Sequence, residues 1–307
     1  MKIWFYPSVR RLILILIALT LVLTACGANS ASDSGISAPV VLATTTFLAD
    51  IARNVAGDRL TVESLLPIGA DPHSYEATPA DVTKIAGSKV LIINGAEYEH
   101  FLEPLLKNAG GETEVVEASA GLTLREDPEE EQGIDPHLWL DPNNVITYVE
   151  NIREALTHFA PEGAAVYQAN ADAYVKQLKD LDAWTVDQVA QIPPAKRLLV
   201  TNHEAFGYFS ERYGFTILGT VVPSVSTDAS TSAGQLAELI DLIKSSGTSA
   251  IFLDEVENPA LAQQIAEETG VMVVEDLHLE SLTDGAPAGT YVDMMKHNVT
   301  RIVDALK

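Results

Sequence analysis

The sequence predicts an α/β protein of two α/β lobes with mostly parallel sheets, joined by one long rigid helix. Three observations carry this expectation. Short β-branched runs alternate with amphipathic segments, the pattern of parallel strands linked by crossover helices. The alternation stops after residue 160, and "PEGAAVYQANADAYVKQLKDLDAWTVDQVAQI" continues for about thirty residues in helical periodicity, longer than an ordinary globular helix. Beyond Pro193-Pro194 the alternation resumes. The expected lobes therefore span 40–160 and 193–307, with a bridging helix over 161–192.

Four strands are expected in the first lobe, at Val40 to Thr46, Leu60 to Leu66, Lys89 to Asn94 and Glu114 to Ala118. The helix from Phe47 to Ala56 ends at Gly57, a residue suited to closing a helix. The next helix has Thr78 at its cap and Pro79 at its first position. Asp141-Pro142 begins another capped helix that runs to about Phe159. In the second lobe, strands are expected at Arg197 to Thr201, Phe215 to Val222, Ala250 to Glu255 and Val271 to Glu275, and His203 is expected to open the helix "EAFGYFSERYG".

The first 25 residues differ in composition from the rest. Lys2, Arg10 and Arg11 precede an apolar run that stops at Cys26, the layout of an export signal. The run falls short of the ~20 residues that a spanning helix needs. Leu23-Thr24-Ala25-Cys26 resembles a bacterial lipobox, so residues 1–25 read as a lipoprotein signal peptide and Cys26 as its lipidation site. Cys26 is also the single cysteine, and lipid attachment accounts for an odd thiol in an exported chain. Residues 26–39, polar and poor in apolar side chains, read as a flexible tether.

Removing residues 1–25 leaves 16 Lys+Arg against 43 Asp+Glu, a net charge of −27. Such a surface disfavours nucleic acid, whose binders need a basic face, and suits a cation. Two of the seven histidines occur in identical settings, Asp71-Pro72-His73 and Asp135-Pro136-His137. Proline fixes its own φ and restrains the residue before it, so each histidine is presented by a stiffened backbone. Asp71 or Asp135 is in a position to accept a hydrogen bond from an imidazole and fix its tautomer. Open α/β sheets bind ligands beyond the carboxyl ends of their strands, where His73, His137, His203 and Glu280 all fall, with His278 two residues before Glu280. His158 lies near a helix end, and His100 and His297 fall in helical segments as surface or packing residues.

Several stretches together resemble one family, the extracytoplasmic metal receptors of bacterial zinc and manganese ABC importers. They are "PIGADPHSYEATPADVTKIAGSKVLIINGAEYE", "DPHLWLDPNNV", "TNHEAFGYFSERYGF", "SLTDGAPAGTYVDMMKHNV" and the lipobox. The resemblance implies one ion between two lobes, held by His73, His137, His203 and Glu280. The fourth position departs from the family's usual aromatic-x-acid-Ser pattern, reading His278-Leu279-Glu280-Ser281, so His278 stands as the alternative ligand. It also implies a monomeric carrier in the periplasm or at the cell surface, anchored to the membrane through lipid on Cys26, that delivers its ion to an ABC permease.

Three imidazoles and a carboxylate suit Zn2+ in tetrahedral geometry, whereas Mn2+ prefers more oxygen and is the alternative cargo. The His-rich loop frequent in zinc receptors of the family is replaced by the acidic stretch 125–133, read as a solvated loop. A secreted metallohydrolase is the rival class. Catalytic zinc sites usually keep a position open for water, which a fourth protein ligand would close. The HExxH motif is missing, because the residue four after His203 is Gly207, and no G-x-S-x-G elbow occurs. The sequence thus predicts binding without catalysis.

Overall fold

The computed structural model describes residues 41–110, 113–126 and 133–307. The expected signal peptide, the Cys26 lipidation site and the tether lie outside these residues, as do residues 127–132 of the acidic stretch. Strands β1 (Val41–Ala43), β2 (Val62–Ser64), β3 (Val90–Ile93) and β4 (Glu114–Glu117) form a parallel sheet in the order β2-β1-β3-β4. A short antiparallel ribbon comes next, β5 (Arg125–Glu126) against β6 (Ile134–Asp135). Strands β7 (Leu198–Thr201), β8 (Thr216–Thr220), β9 (Ala250–Asp254) and β10 (Met272–Leu277) form a second parallel sheet, ordered β10-β9-β7-β8. Both sheets therefore wind the same way, with the first strand between the second and the third. The strand order reverses beside β1 and β7, and the crevice beyond their carboxyl ends is where such sheets take ligands.

The helices are α1 (Thr46–Ala56), α2 (Pro79–Gly87), α3 (Leu102–Ala109), α4 (Pro142–Phe159) and α5 (Ala164–Val189), then α6 (Gly207–Tyr213), α7 (Ala233–Ser246), α8 (Ala260–Thr269) and α9 (Tyr291–Leu306). Local chemistry sets their starts. The Thr78 backbone N–H and hydroxyl both donate to Asp81 Oδ2, closing a capping box on α2. Asp141 Oδ1 accepts the Asn143 N–H at 2.8 Å and opens α4 ahead of Pro142. At 26 residues, α5 is the long helix that the periodicity predicts, preceded by a short 3-10 turn at Pro161–Gly163.

Three expectations are corrected. The β-branched run Thr44 to Thr46 does not extend the first strand, because Thr45 caps α1, its hydroxyl facing the Leu48 N–H at 3.4 Å. Threonine side chains favour strands and helix caps alike, and here the cap wins. His203 does not open a helix either, since α6 begins at Gly207. The Glu204 N–H donates to the Ser224 carbonyl at 2.9 Å, which holds the chain out of helical pairing. His100 likewise sits in the turn ahead of α3 and not within a helix.

Residues of β1 alternate with a period of two. Val41 and Ala43 face a core that continues through α1, α4, α5 and α9, while Leu42 faces the opposite side with Leu65, Leu91 and Leu105. The larger core does not stop at the end of the first lobe, and it includes Leu199, Phe209, Leu277 and Met294. Helix α5 packs on α1 and α4 from the first lobe and on α6 and α9 from the second. Polar contacts also tie the halves together: the Trp139 indole N–H donates to the Leu279 carbonyl at 3.0 Å, the Tyr291 hydroxyl to the Trp139 carbonyl at 2.7 Å, and the Tyr291 N–H to Asp50 Oδ2 at 3.0 Å. With side chains packed at crystal-like density on both sides of α5, large rotation of one lobe against the other would open voids throughout the shared core. Among the described residues, no helix is long and apolar enough to cross a membrane.

Candidate metal centre

Each Asp-Pro-His turn closes in the same way. Asp71 Oδ1 accepts the backbone N–H of His73 at 2.9 Å, and Asp135 Oδ1 accepts that of His137 at 3.0 Å. An aspartate bonding to the N–H two residues on makes an Asx turn, and the intervening proline stiffens it. The aspartates then diverge. Asp135 Oδ1 also bonds the His137 Nδ1 at 2.9 Å, as expected of a carboxylate that orients a ligand. Asp71 instead uses Oδ2 to accept the hydroxyls of Ser74 at 2.9 Å and of Thr227, from the segment after β8, at 2.6 Å. Gly207 makes room for the Asp135 carboxylate, since a Cβ there would stand 2.3 Å from Asp135 Oδ2.

His203 lies just past β7 and is held by a carboxylate that the sequence reading missed. Glu257, in the turn after β9, places Oε1 2.6 Å from His203 Nδ1 and accepts the Asp254 N–H on Oε2 at 2.8 Å. Glu280 lies just past β10, where Asp254 Oδ2 accepts the N–H groups of Leu279 at 2.5 Å and Glu280 at 2.9 Å and turns the chain inward. Glu257 and Asp254 both lie at the carboxyl end of β9, and an inspection of acidic residues at strand ends, extended beyond histidines, would have found them.

The four candidate side chains converge. Glu280 Oε1 lies 3.6 Å from the His73 Nε2, 3.4 Å from the His137 Nε2 and 3.5 Å from the His203 Nε2. The Nε2 atoms of His137 and His203 are 3.2 Å apart, and one donor atom from each of the four residues falls within 4.8 Å of all the others. Donors bound about 2.0–2.1 Å from a tetrahedral zinc stand about 3.4 Å from one another, and the separations of Glu280 from the three imidazoles and of His137 from His203 match that spacing. All four side chains are at most 2% exposed. Glu280 Oε1 and His73 Nε2 are buried and have no hydrogen-bond partner among the described residues, which is costly unless a cation or a proton fills the space. A cavity of about 60 Å³ opens beside His73, lined also by Glu97, His100, Pro136 and Ser226.

His278 does not join this group. Its Nδ1 lies 2.9 Å from Glu255 Oε1, and its ring sits 5.1 Å from that of His297 on α9. His158 and His297 lie on α4 and α9.

The electrostatics of the cluster arise from burial and crowding. Burial opposes charge on His203, but the contact with Glu257 and the nearby Glu280 carboxylate outweigh it and hold the imidazole well above its ordinary pKa. His137 is likewise raised, through Asp135 and Glu280 acting against burial. For His73 burial prevails and the pKa is lowered. Burial works against ionised Glu280 too, yet the three imidazoles keep its pKa well below the usual carboxylate value. The cage therefore favours one carboxylate charge opposed by shared imidazole protons, a charge distribution that a divalent cation replaces directly.

Residues 41–305 match the family model described as zinc-uptake complex component A, periplasmic. The manganese-binding lipoprotein MntA of Halalkalibacterium halodurans is 34% identical over 295 residues, covering 95% of this chain and 97% of its own. The iron-binding protein YfeA of Yersinia pestis is 33% identical over 279 residues, covering 89% of this chain and 88% of its own. The solved structure of the periplasmic zinc-binding protein TroA from Treponema pallidum superposes with a TM-score of 0.80 at 30% identity, covering 87% of this chain and 99% of its own. The chain thus belongs to the zinc-uptake component A family, the metal-binding receptors of ABC importers, which are solute-binding proteins and not enzymes.

Proposed function

We propose that this protein captures one divalent transition-metal ion outside the cytoplasm, zinc in preference to manganese, and hands it to an ABC import permease. His73 and His137 of the lobe over 40–160 and His203 and Glu280 of the lobe over 193–307 are its ligands, with 161–192 as the bridge. The observation that carries this reading is the cage itself: three imidazole nitrogens around one carboxylate oxygen, at 3.4–3.6 Å from it. Nitrogen donors at tetrahedral spacing favour zinc, both by geometry and by the general order of divalent affinities. Lipid on Cys26 would tether a monomeric receptor to the membrane, with the polar segment 26–39 as its leash.

Manganese is the second reading. It is favoured by the relative MntA, which is named as manganese-binding and matches nearly the whole chain. Metal analysis and competitive titration of the purified, metal-free chain distinguish the two. One equivalent of zinc, weakened by His203→Ala and by Glu280→Ala and poorly displaced by manganese, is the expected result. Manganese retained against zinc would overturn the preference, and no stoichiometric metal would overturn the ligand set.

A further inference from the structure

Glu280 has two carboxylate oxygens, and Oε1 is the one that comes nearest each imidazole. Oε1 is the atom near all three Nε2 positions and lacks a hydrogen-bond partner, whereas Oε2 accepts the hydroxyl of Tyr98. Tyr98 comes from the opposite lobe, at the carboxyl end of β3, and is 1% exposed. Its position is set by unusual backbone. Gly95, Ala96 and Glu97 all have positive φ, at 82°, 51° and 61°. Two non-glycine residues in succession in the left-handed region are strained, and such strain persists only where the surroundings over-determine the conformation. Glu99 supplies that determination, its two oxygens accepting the N–H groups of Asn94 at 2.6 Å and Gly95 at 3.1 Å. The Tyr98 ring is then wedged edge-on to His73 at 5.2 Å and against Trp139 at 4.9 Å, so its hydroxyl has little freedom to follow another partner.

We propose that Tyr98 is a specificity-determining positioning residue, which occupies Oε2 so that Glu280 offers the ion a single oxygen and the site stays four-coordinate. The inference rests on the metal-capture reading above and deepens it. A carboxylate free to bind through both oxygens would give a five-donor, more oxygen-rich site, which suits manganese better and zinc less well. With Oε2 already holding a proton donor, bidentate binding costs the loss of a buried hydrogen bond to a charged acceptor. Discrimination between zinc and manganese therefore depends on a residue that does not touch the ion.

Tyr98→Phe in the full chain keeps the ring and removes the donor. Zinc and manganese affinities, each measured by competition with a chelator, give the ratio, and visible absorption of the Co2+-loaded protein reports coordination number. In the wild type, Co2+ is expected to give the intense absorption of a four-coordinate site. In the variant, that absorption is expected to weaken and the zinc-to-manganese affinity ratio to fall about tenfold, within the 10–100-fold range of outer-shell effects on metal sites. Equal loss for both metals with an unchanged Co2+ spectrum would overturn the inference and leave Tyr98 a packing residue. Weak, six-coordinate-like absorption in the wild type would overturn it without any variant. If the wild type binds neither metal, the capture reading itself fails and this inference with it; if it binds metal but the ratio does not move, only the inference fails.

Discussion

Glu257 offers the sharpest test of how the protein orients the imidazoles of the proposed site. Its side chain is 2% exposed, and both oxygens are engaged, one with His203 Nδ1 at 2.6 Å and the other with the Asp254 N–H at 2.8 Å. Glutamine has the same shape but one acceptor oxygen. In Glu257→Gln, either the Asp254 N–H or the imidazole must therefore face an amide NH2. A buried donor left unsatisfied costs about 1–3 kcal/mol. If the imidazole loses its acceptor, nothing keeps the proton on Nδ1, and the tautomer with Nε2 protonated cannot bind an ion through that atom. Zinc affinity is expected to fall about 10–100-fold, equivalent to about 1.4–2.7 kcal/mol. Competitive titration against a chromophoric chelator measures it. Glu255→Gln is the control, since Glu255 pairs with His278 and not with the cage. Affinity in Glu257→Gln within about twofold of wild type would refute the argument that this carboxylate holds the tautomer.

The same geometry fixes further outcomes. His278→Ala is expected to leave zinc affinity within about twofold, because its contacts are separate from the cage, whereas Glu280→Ala removes the carboxylate that, among the described residues, faces all three imidazoles; chelator competition on both variants checks it. The raised pKa of His203 makes its contribution to metal-free stability complete below the ordinary histidine value of 6.5 and lost as pH climbs through the raised value. Zinc needs that imidazole neutral, so the gap in melting temperature between zinc-loaded and metal-free protein should widen from about pH 6 to about pH 8, and a gap that stays constant would contradict the assignment. Trp139→Ala removes a fully buried ring stacked on Phe47 at 4.5 Å and the indole bond to Leu279, and should cost about 3–5 kcal/mol in denaturant unfolding.

The sheets, the long helix and three of the four side chains that converge at the candidate site were legible because each leaves a local mark. Parallel strands buried on both faces read as β-branched runs, and α5 shows its length as unbroken periodicity. His73 and His137 share a tripeptide whose Asx turn is a local interaction, and His203 sits just past a strand. Glu280 was harder to separate from His278. Residues two apart point to the same side of an extended chain, so spacing alone favours neither. The distinction comes from Asp254, twenty-six residues earlier in sequence, which accepts two successive N–H groups and turns the loop. Tyr98 and Glu257 escaped notice for a related reason. Their roles exist only once the carboxyl ends of β3 and β9 are brought beside residues more than fifty positions away. The Thr44 to Thr46 run misled because one residue type serves both a strand and a helix cap, and the choice between them is made by the amphipathic segment downstream.

The proposed site places one ion among His73, His137, His203 and Glu280. Anomalous diffraction at the zinc absorption edge, from crystals of the protein loaded with one equivalent of zinc, tests it most directly. A single peak bonded to the three Nε2 atoms and to one oxygen of Glu280, each at about 2.0–2.2 Å, is the predicted result. A peak beside His278 and Glu255, or a zinc ion that leaves Glu280 uncoordinated, would contradict it.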